Sequence, residues 1–216
     1  MALVIGVVSQ KGGVGKSTVA RLIACNYAAS EWQVKIADMD LSQGTCTSWN
    51  RRRLQNEIKP KVAVEQFLHV SDALKTGEQY DLVVFDGAPH STRKTLDIAQ
   101  ASDLVILPTG VSLDDLEPTI KLAHELKKNG VDSTKIAVAL TRAGNSDVEL
   151  AEGMEYVKAS GYYLLDGVIH EKTAIRRSSD EGKCATETPF KSLNEKVDLL
   201  VQAIVNRADA LTRAKR

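Results

Sequence analysis

Short runs of β-branched and apolar residues alternate with longer stretches of helical periodicity from one end of this chain to the other, and nothing else constrains its fold as tightly. Strands are predicted at 3–9, 34–38, 62–67, 81–86, 103–107, 135–140 and 163–169. Helices are predicted at 16–30, 92–101, 113–129 and 146–160, several of them closing on Gly or Asn, Gly130 and Gly161 among them. A strand followed by a helix returns the chain to the edge from which it started, so successive strands align in parallel. The expected fold class is α/β, a mostly parallel twisted sheet with helices on both faces. At 216 residues, with no internal repeat, low-complexity stretch or Pro/Gly/Ser-rich linker, residues 1–216 read as a single domain.

The charge balance narrows the possible partners. Lys and Arg number 28 and so do Asp and Glu, so the whole-molecule field does not attract polyanions or anionic lipid, and any contact with nucleic acid must come from a local patch. Cys25, Cys46 and Cys184 are odd in number and far apart, with no C-x-x-C pair or flanking His, and read as reduced thiols rather than metal ligands. The opening Ala2-Leu3-Val4-Ile5-Gly6-Val7-Val8 is too short for a membrane span and lacks the basic start of a signal peptide, so a cytoplasmic protein is expected. Leu193, Val197, Leu200, Val201, Ile204, Ala208 and Leu211 form one stripe at helical spacing over 192–212, expected to dock on the protein's own core. The basic tail Arg213-Ala214-Lys215-Arg216 has no bulky apolar face for membrane insertion.

Between the first predicted strand and the first predicted helix lies Lys11-Gly12-Gly13-Val14-Gly15-Lys16-Ser17-Thr18. Positions without side chains let successive backbone N–H groups converge on an anion, and a helix that starts at Lys16 adds the positive end of its dipole. Lys16 is expected against the β and γ phosphates and the Ser17 hydroxyl on Mg²⁺. A magnesium triphosphate also needs a carboxylate at the end of a neighbouring strand. Asp86 closes the apolar run 80–85 and precedes Gly87-Ala88-Pro89, which suits that role. Asp38 and Asp40 leave the edge of another strand one residue apart, so both are expected to face the cavity. Asp40 is the candidate for orienting the attacking water, and Asp38 for supporting the metal shell or the loop.

These landmarks resemble one family in content and order. K-G-G-V-G-K-S-T is similar to the deviant Walker A sequence of the ParA/MinD ATPases, and D-x-D at 38–40, Asp86 with Gly87-Ala88-Pro89, Leu107-Pro108 and Thr141-Arg142 resemble its other motifs. The resemblance implies a P-loop NTPase fold, ATP and Mg²⁺ as cofactors, and a homodimer closed around ATP in which Lys11 of one subunit reaches the phosphates of the other. It also implies that Thr141-Arg142 lies against adenine and that Pro108, with the loop to Ser112, flanks the base or the dimer seam. Departures stand at Leu41-Ser42-Gln43, where Pro-Gln is usual, at Val111, where a second Pro often occurs, and at Lys172, where Arg is common.

Within the family, the resemblance points to small DNA-partition ATPases that bind DNA without sequence preference in the ATP state and are stimulated by a centromere-binding, ParB-like adaptor. No helix-turn-helix extension is expected at the amino terminus. Arg176, Arg177, Lys183, Lys191 and Lys196 are the candidate DNA contacts, with Arg51-Arg52-Arg53 a weaker set. Positioning of a protein cargo such as a chemoreceptor cluster or a carboxysome over the nucleoid uses the same chemistry. A MinD-like membrane regulator is disfavoured by the polar 205–216. An ATP-dependent metabolic enzyme would have no use for Lys11, and a metal-cluster carrier would need paired cysteines at a dimer axis.

Overall fold

The structure, a computed structural model, describes residues 2–89 and 92–214. Seven strands form one sheet: β1 (Leu3–Val7), β2 (Val34–Asp38), β3 (Ala63–Gln66), β4 (Leu82–Asp86), β5 (Leu104–Thr109), β6 (Ile136–Ala143) and β7 (Tyr163–His170). Their order across the sheet is β3-β2-β4-β1-β5-β6-β7, and every pairing is parallel. Strands β1, β4 and β5 occupy the middle. The chain therefore changes direction across the sheet beside β1, and crevices at such switch points, outside the carboxyl ends of the strands, are where open α/β sheets bind ligands.

Period-two alternation along each central strand divides the core between the two faces. Ile5, Val7, Leu82, Val84, Leu104, Ile106, Ala137 and Ala139 point to one side, where α1 (Lys16–Ala29), α2 (Thr45–Gln55), α7 (Thr173–Asp180) and α8 (Lys191–Arg213) cover them. Val4, Val83, Phe85, Val105, Leu107, Ile136 and Val138 point to the other, under α3 (Val70–Gly77), α4 (Thr92–Ala101), α5 (Leu113–Lys128) and α6 (Asp147–Ala159). Strands buried on both faces read as continuous apolar runs, which is why the sequence marked them so plainly.

The predicted strands and long helices are all present, with no end shifted by more than three residues. Three helices were not anticipated. α3 and α7 span eight residues each, too short for periodicity to stand out, and α2 carries Thr-Cys-Thr and three arginines in place of an apolar stripe. The closing stripe docks on the core as expected. Val197, Leu200, Ile204 and Ala208 are buried, with Leu193, Val201 and Leu211 packed at their margin. Each buried Leu or Ile there contributes about 1.5–3 kcal/mol. Lys215 and Arg216 of the basic tail lie outside the described residues. No helix among the described residues is long and apolar enough to cross a membrane.

α8 lies so close to β7 that one position admits only glycine. Gly167 has φ +84, and a Cβ there would sit 2.3 Å from the backbone N of Leu200. Gly167→Ala combines a left-handed penalty of about 1–2 kcal/mol with overpacking of similar size. The variant is expected to lose about 3 kcal/mol, which calorimetry would read as a fall in Tm of roughly 6–12 °C for a chain of this length.

Candidate functional site

The loop that joins β1 to α1 owes its path to two glycines. Gly13 and Gly15 have φ +78 and +89, in the left-handed region. A Cβ on Gly15 would also press at 3.4 Å on the side chain of Thr141. Between them Val14 is buried, and its carbonyl accepts the Thr141 hydroxyl at 2.7 Å, so β6 holds the loop from below. Gly15 occupies the N-cap of α1 with no side-chain cap and no acid in the first turn. The unpaired N–H groups of the first turn are thereby left for an anion.

A cavity of about 260 Å³ opens above this turn, lined by Gly12, Gly13, Gly15, Lys16, Ser17 and Thr18, with Asp40 and Asp86 on its far side. Lys16 folds back so that its Nζ donates to the Lys11 carbonyl at 3.0 Å. Burial lowers the pKa of that ammonium, opposed by Asp86 and Asp40. Asp86 is 3 % exposed, and burial pushes its carboxyl above the ordinary range against the nearby Ser17 and Cys46 donors. Its Oδ2 accepts from the Cys46 thiol at 3.1 Å, while its Oδ1 is buried with no hydrogen-bond partner among the described residues. Burial with Asp86 alongside keeps Cys46 protonated, its pKa raised well above the ordinary thiol value. A hydroxyl on Ser17, a buried acceptor oxygen without a donor, and a glycine cradle under a lysine together make a donor set that fits Mg²⁺ and a phosphate chain.

The two acids of the D-x-D motif part company. β2 ends at Asp38, so the alternation expected to aim both into one cavity stops there. Asp38 is fully buried and turned into the start of α2, its Oδ2 accepting from both the N–H and the hydroxyl of Thr47 at 3.0 Å. That corrects the expectation that it faces the cavity with Asp40: the open N–H groups of α2 claim its carboxylate first. Asp40 does line the cavity. Its Oδ1 closes a tight turn by accepting from the Ser42 hydroxyl at 2.6 Å and from the N–H groups of Ser42 and Gln43 at 3.1 Å. Burial raises its acidity constant's pKa, but these donors and Lys16 outweigh it, and the net direction is down. Asp40 is thus an ionised carboxylate at neutral pH.

Lys11 is docked on its own chain. Its ammonium pairs with the Asp115 carboxylate and donates to the Asp114 carbonyl at 3.0 Å, both in the first turn of α5. Pro118, inside that helix, has no N–H to give the carbonyl four residues earlier, which is Asp114's. Lys11 supplies the missing donor.

A second cavity, about 340 Å³, lies on the other side of the loop between Thr141, Arg142, Ile169, His170, Glu171 and Ile175. Arg142 is itself left-handed at φ +53, and its guanidinium donates to the Gly13 carbonyl at 2.8 Å. Thr141 and Arg142 are therefore beside the phosphate loop and line the cavity next to it. Pro108 is not: it pairs with Ala139 inside β5, is buried, and lines neither cavity. β5 runs two residues past its predicted end because β6 continues beside it, while the β1 ladder has already stopped at Ile106, so a residue lacking N–H costs no pairing there.

The basic residues are only partly gathered. Lys196 lines a groove of about 620 Å³ with Thr173 and Ala174, which puts the start of α8 beside the start of α7. Arg176 faces Glu171 at 3.7 Å, Lys183 pairs with Glu181 at 2.7 Å and Lys191 with Glu195 at 3.8 Å; Arg177 is exposed on α7. Of the weaker set, Arg53 is withdrawn from any surface role. It is fully buried and makes a two-pronged pair with Glu187 at 2.7 and 2.8 Å. Sequence reasoning also missed Arg21, which lines the phosphate cavity and ties the Thr45 carbonyl at 2.7 Å to the Ser179 hydroxyl at 2.9 Å. One arginine amid a largely apolar helix carries no signal of such a post.

Residues 5–185 match the family model described as the CobQ/CobB/MinD/ParA nucleotide binding domain. The chain is 30 % identical over 194 residues to the maintenance of carboxysome distribution protein A of Gloeobacter kilaueensis, covering 89 % of this chain and 88 % of that protein. The putative plasmid partition protein of Borrelia burgdorferi, solved bound to AMPPNP, superposes with a TM-score of 0.74 at 18 % identity, over 96 % of this chain and 100 % of that one. The pNOB8 ParA, solved bound to nonspecific DNA, gives 0.65 at 16 % identity, over 95 % and 99 %. At such identities the solved structures speak for the fold alone. The family match across the phosphate loop, both cavities and the sheet that carries them makes this chain a member of the CobQ/CobB/MinD/ParA nucleotide-binding family.

Proposed function

We propose that this chain is a Mg²⁺-dependent ATPase that acts as a dimerising switch, a reading carried by the two lysines of one phosphate loop, Lys16 folded over it and Lys11 held outside it. In this reading the N–H groups of Gly12, Gly13, Val14, Gly15, Lys16, Ser17 and Thr18 cradle the phosphates, and Ser17 and Asp86 hold the metal. Mg²⁺, when bound, supplies charge neutralisation to the phosphates. Asp40, ionised and on the cavity wall, orients water for in-line attack, while Thr141 and Arg142 shape the base side. The AMPPNP bound by the Borrelia burgdorferi relative supports ATP as the nucleotide.

Lys11 leaves Asp115 when a second subunit brings a triphosphate within reach. A partly exposed ion pair is worth about 0–1 kcal/mol, so the multiple charge of a phosphate chain competes with it readily. Triphosphate then stabilises the dimer by linkage, and hydrolysis releases it. In the dimer, two-fold symmetry doubles the basic residues of α7, α8 and the segment between them, Arg176, Arg177, Lys183, Lys191 and Lys196, into a surface for DNA phosphates, read without base preference. The nonspecific DNA bound by pNOB8 ParA supports that assignment. A ParB-like centromere-binding adaptor that stimulates turnover would make the cargo a plasmid or chromosome. The relative from Gloeobacter kilaueensis favours a second reading, in which the same nucleoid-riding switch positions a protein assembly.

Lys16→Ala is expected to lower ATP affinity by about 100-fold or more, whereas Lys11→Ala binds ATP normally and stays a single particle. Light scattering with and without ATP decides it, and a Lys11→Ala protein that dimerises like the parent would remove the sandwich reading. Asp40→Ala is expected to keep the ATP dimer while phosphate release falls by about 10²–10⁴-fold; unchanged release would take Asp40 out of the reaction. For the DNA surface, Arg176→Glu with Arg177→Glu should weaken retention of nonspecific DNA and flatten its dependence on salt. Identical salt titrations of the two proteins would end that assignment.

A further inference from the structure

We propose that Cys46 is a positioning residue for Mg²⁺, fixing which oxygen of Asp86 is presented to the metal; the proposal rests on the nucleotide-site reading above. Cys46 stands in the first turn of α2, fully buried, with its Sγ 3.1 Å from Asp86 Oδ2. The same sulfur is 3.9 Å from the backbone oxygen of Ser17, the other protein contact assigned to the metal. Asp86 has two carboxylate oxygens in a buried wall of the phosphate cavity, and only one of them is taken. Oδ2 accepts a hydrogen bond from the thiol, and Oδ1, with the Ser17 hydroxyl near the carboxylate, makes no hydrogen bond of its own among the described residues. A carboxylate free to turn about its terminal bond would exchange the two; the thiol stops that exchange.

The thiol is delivered without slack because α2 is itself pinned. Asp38 at the end of β2 holds the Thr47 N–H and hydroxyl, and Arg21 holds the Thr45 carbonyl, so the residues on either side of Cys46 are tied to β2 and to α1. β2 and β4 are neighbours in register, with Asp38 opposite Asp86. The fully buried Asp38 that does not reach the cavity therefore acts on it through Thr47 and Cys46. Hydrogen-bond partners of metal-holding carboxylates typically change metal affinity about 10–100-fold when removed. An apolar residue at position 46 would leave Oδ2 a second orphan in a buried wall.

The test compares Cys46→Ala and Cys46→Ser with the parent by titrating Mg²⁺ into protein loaded with N-methylanthraniloyl-ADP, and by measuring binding of the same nucleotide in EDTA. Cys46→Ala should need about 10-fold more Mg²⁺ while binding in EDTA is unchanged, and Cys46→Ser, which restores an O–H donor, should return most of the lost response. A Cys46→Ala protein with the parent's Mg²⁺ dependence overturns the proposal, and so does a Cys46→Ser protein as impaired as Cys46→Ala, since packing alone would then explain the loss. Should Cys46→Ala fail to fold, the infrared S–H band of the parent that is missing from Cys46→Ser gives the same answer: it should shift when Mg²⁺ joins bound ADP, and a stationary band overturns the proposal. A parent protein indifferent to Mg²⁺ would instead bring down the nucleotide-site reading beneath it.

Discussion

The turn from β1 into α1 depends on backbone that ordinary residues resist. Gly13 and Gly15 adopt left-handed φ values, and the carbonyls that this conformation exposes are taken up from β6, the Val14 oxygen by the Thr141 hydroxyl and the Gly13 oxygen by the Arg142 guanidinium. A loop of glycines alone would be entropically loose. Here two side chains of one strand hold it, and one of them, Arg142, is in the left-handed region itself. The cradle is therefore preformed, and the N–H groups of α1 face an opening rather than a cap.

Everything acidic around that opening is bound to something else first, and each attachment decides a job. Asp38 serves α2, Asp40 closes its own turn, and Asp86 takes a thiol on one oxygen and nothing on the other. Three carboxylates at one sheet edge thus differ in availability. Asp86 keeps an unsatisfied buried acceptor, which is costly in an empty site and favourable once a cation or its water occupies it. Lys11 follows the same logic at the rim, held by a carbonyl that Pro118 leaves unpaired and by Asp115. Such a partly exposed contact is weak enough to exchange for a better one.

The same economy ties the far layer of helices to the site. Arg21 spans from the Thr45 carbonyl to Ser179 on α7, and Arg53 joins α2 to the segment before α8 through Glu187. Burial alone would raise the Glu187 carboxyl, but the guanidinium overrides it and holds the pKa down. A buried pair of this kind is poor evidence for net stability, yet breaking either half leaves an uncompensated charge. It fixes how α2, and with it the first turn that carries Cys46, sits against the carboxy-terminal layer.

The strands, the long helices, the doubly covered parallel sheet and the phosphate loop were all legible in the sequence, because each is dictated by local chemistry: apolar runs buried on two faces, helical stripes, and glycines where φ must be positive. The short helices were not, since α3 and α7 hold too few turns for a period and α2 has no apolar stripe. Nor could residue order say which way a carboxylate turns. Asp38 and Asp40 share a spacing that suits one face of a strand, and only the end of β2 between them, with the open N–H groups of α2 nearby, sends them apart. Pro108 reads as a loop residue until β6 is seen continuing alongside it. Cys46, Arg21 and the Lys11 dock were out of reach for the same reason: their partners are 24 to 158 residues away, and contacts at that separation exist only once the sheet order has brought the elements together.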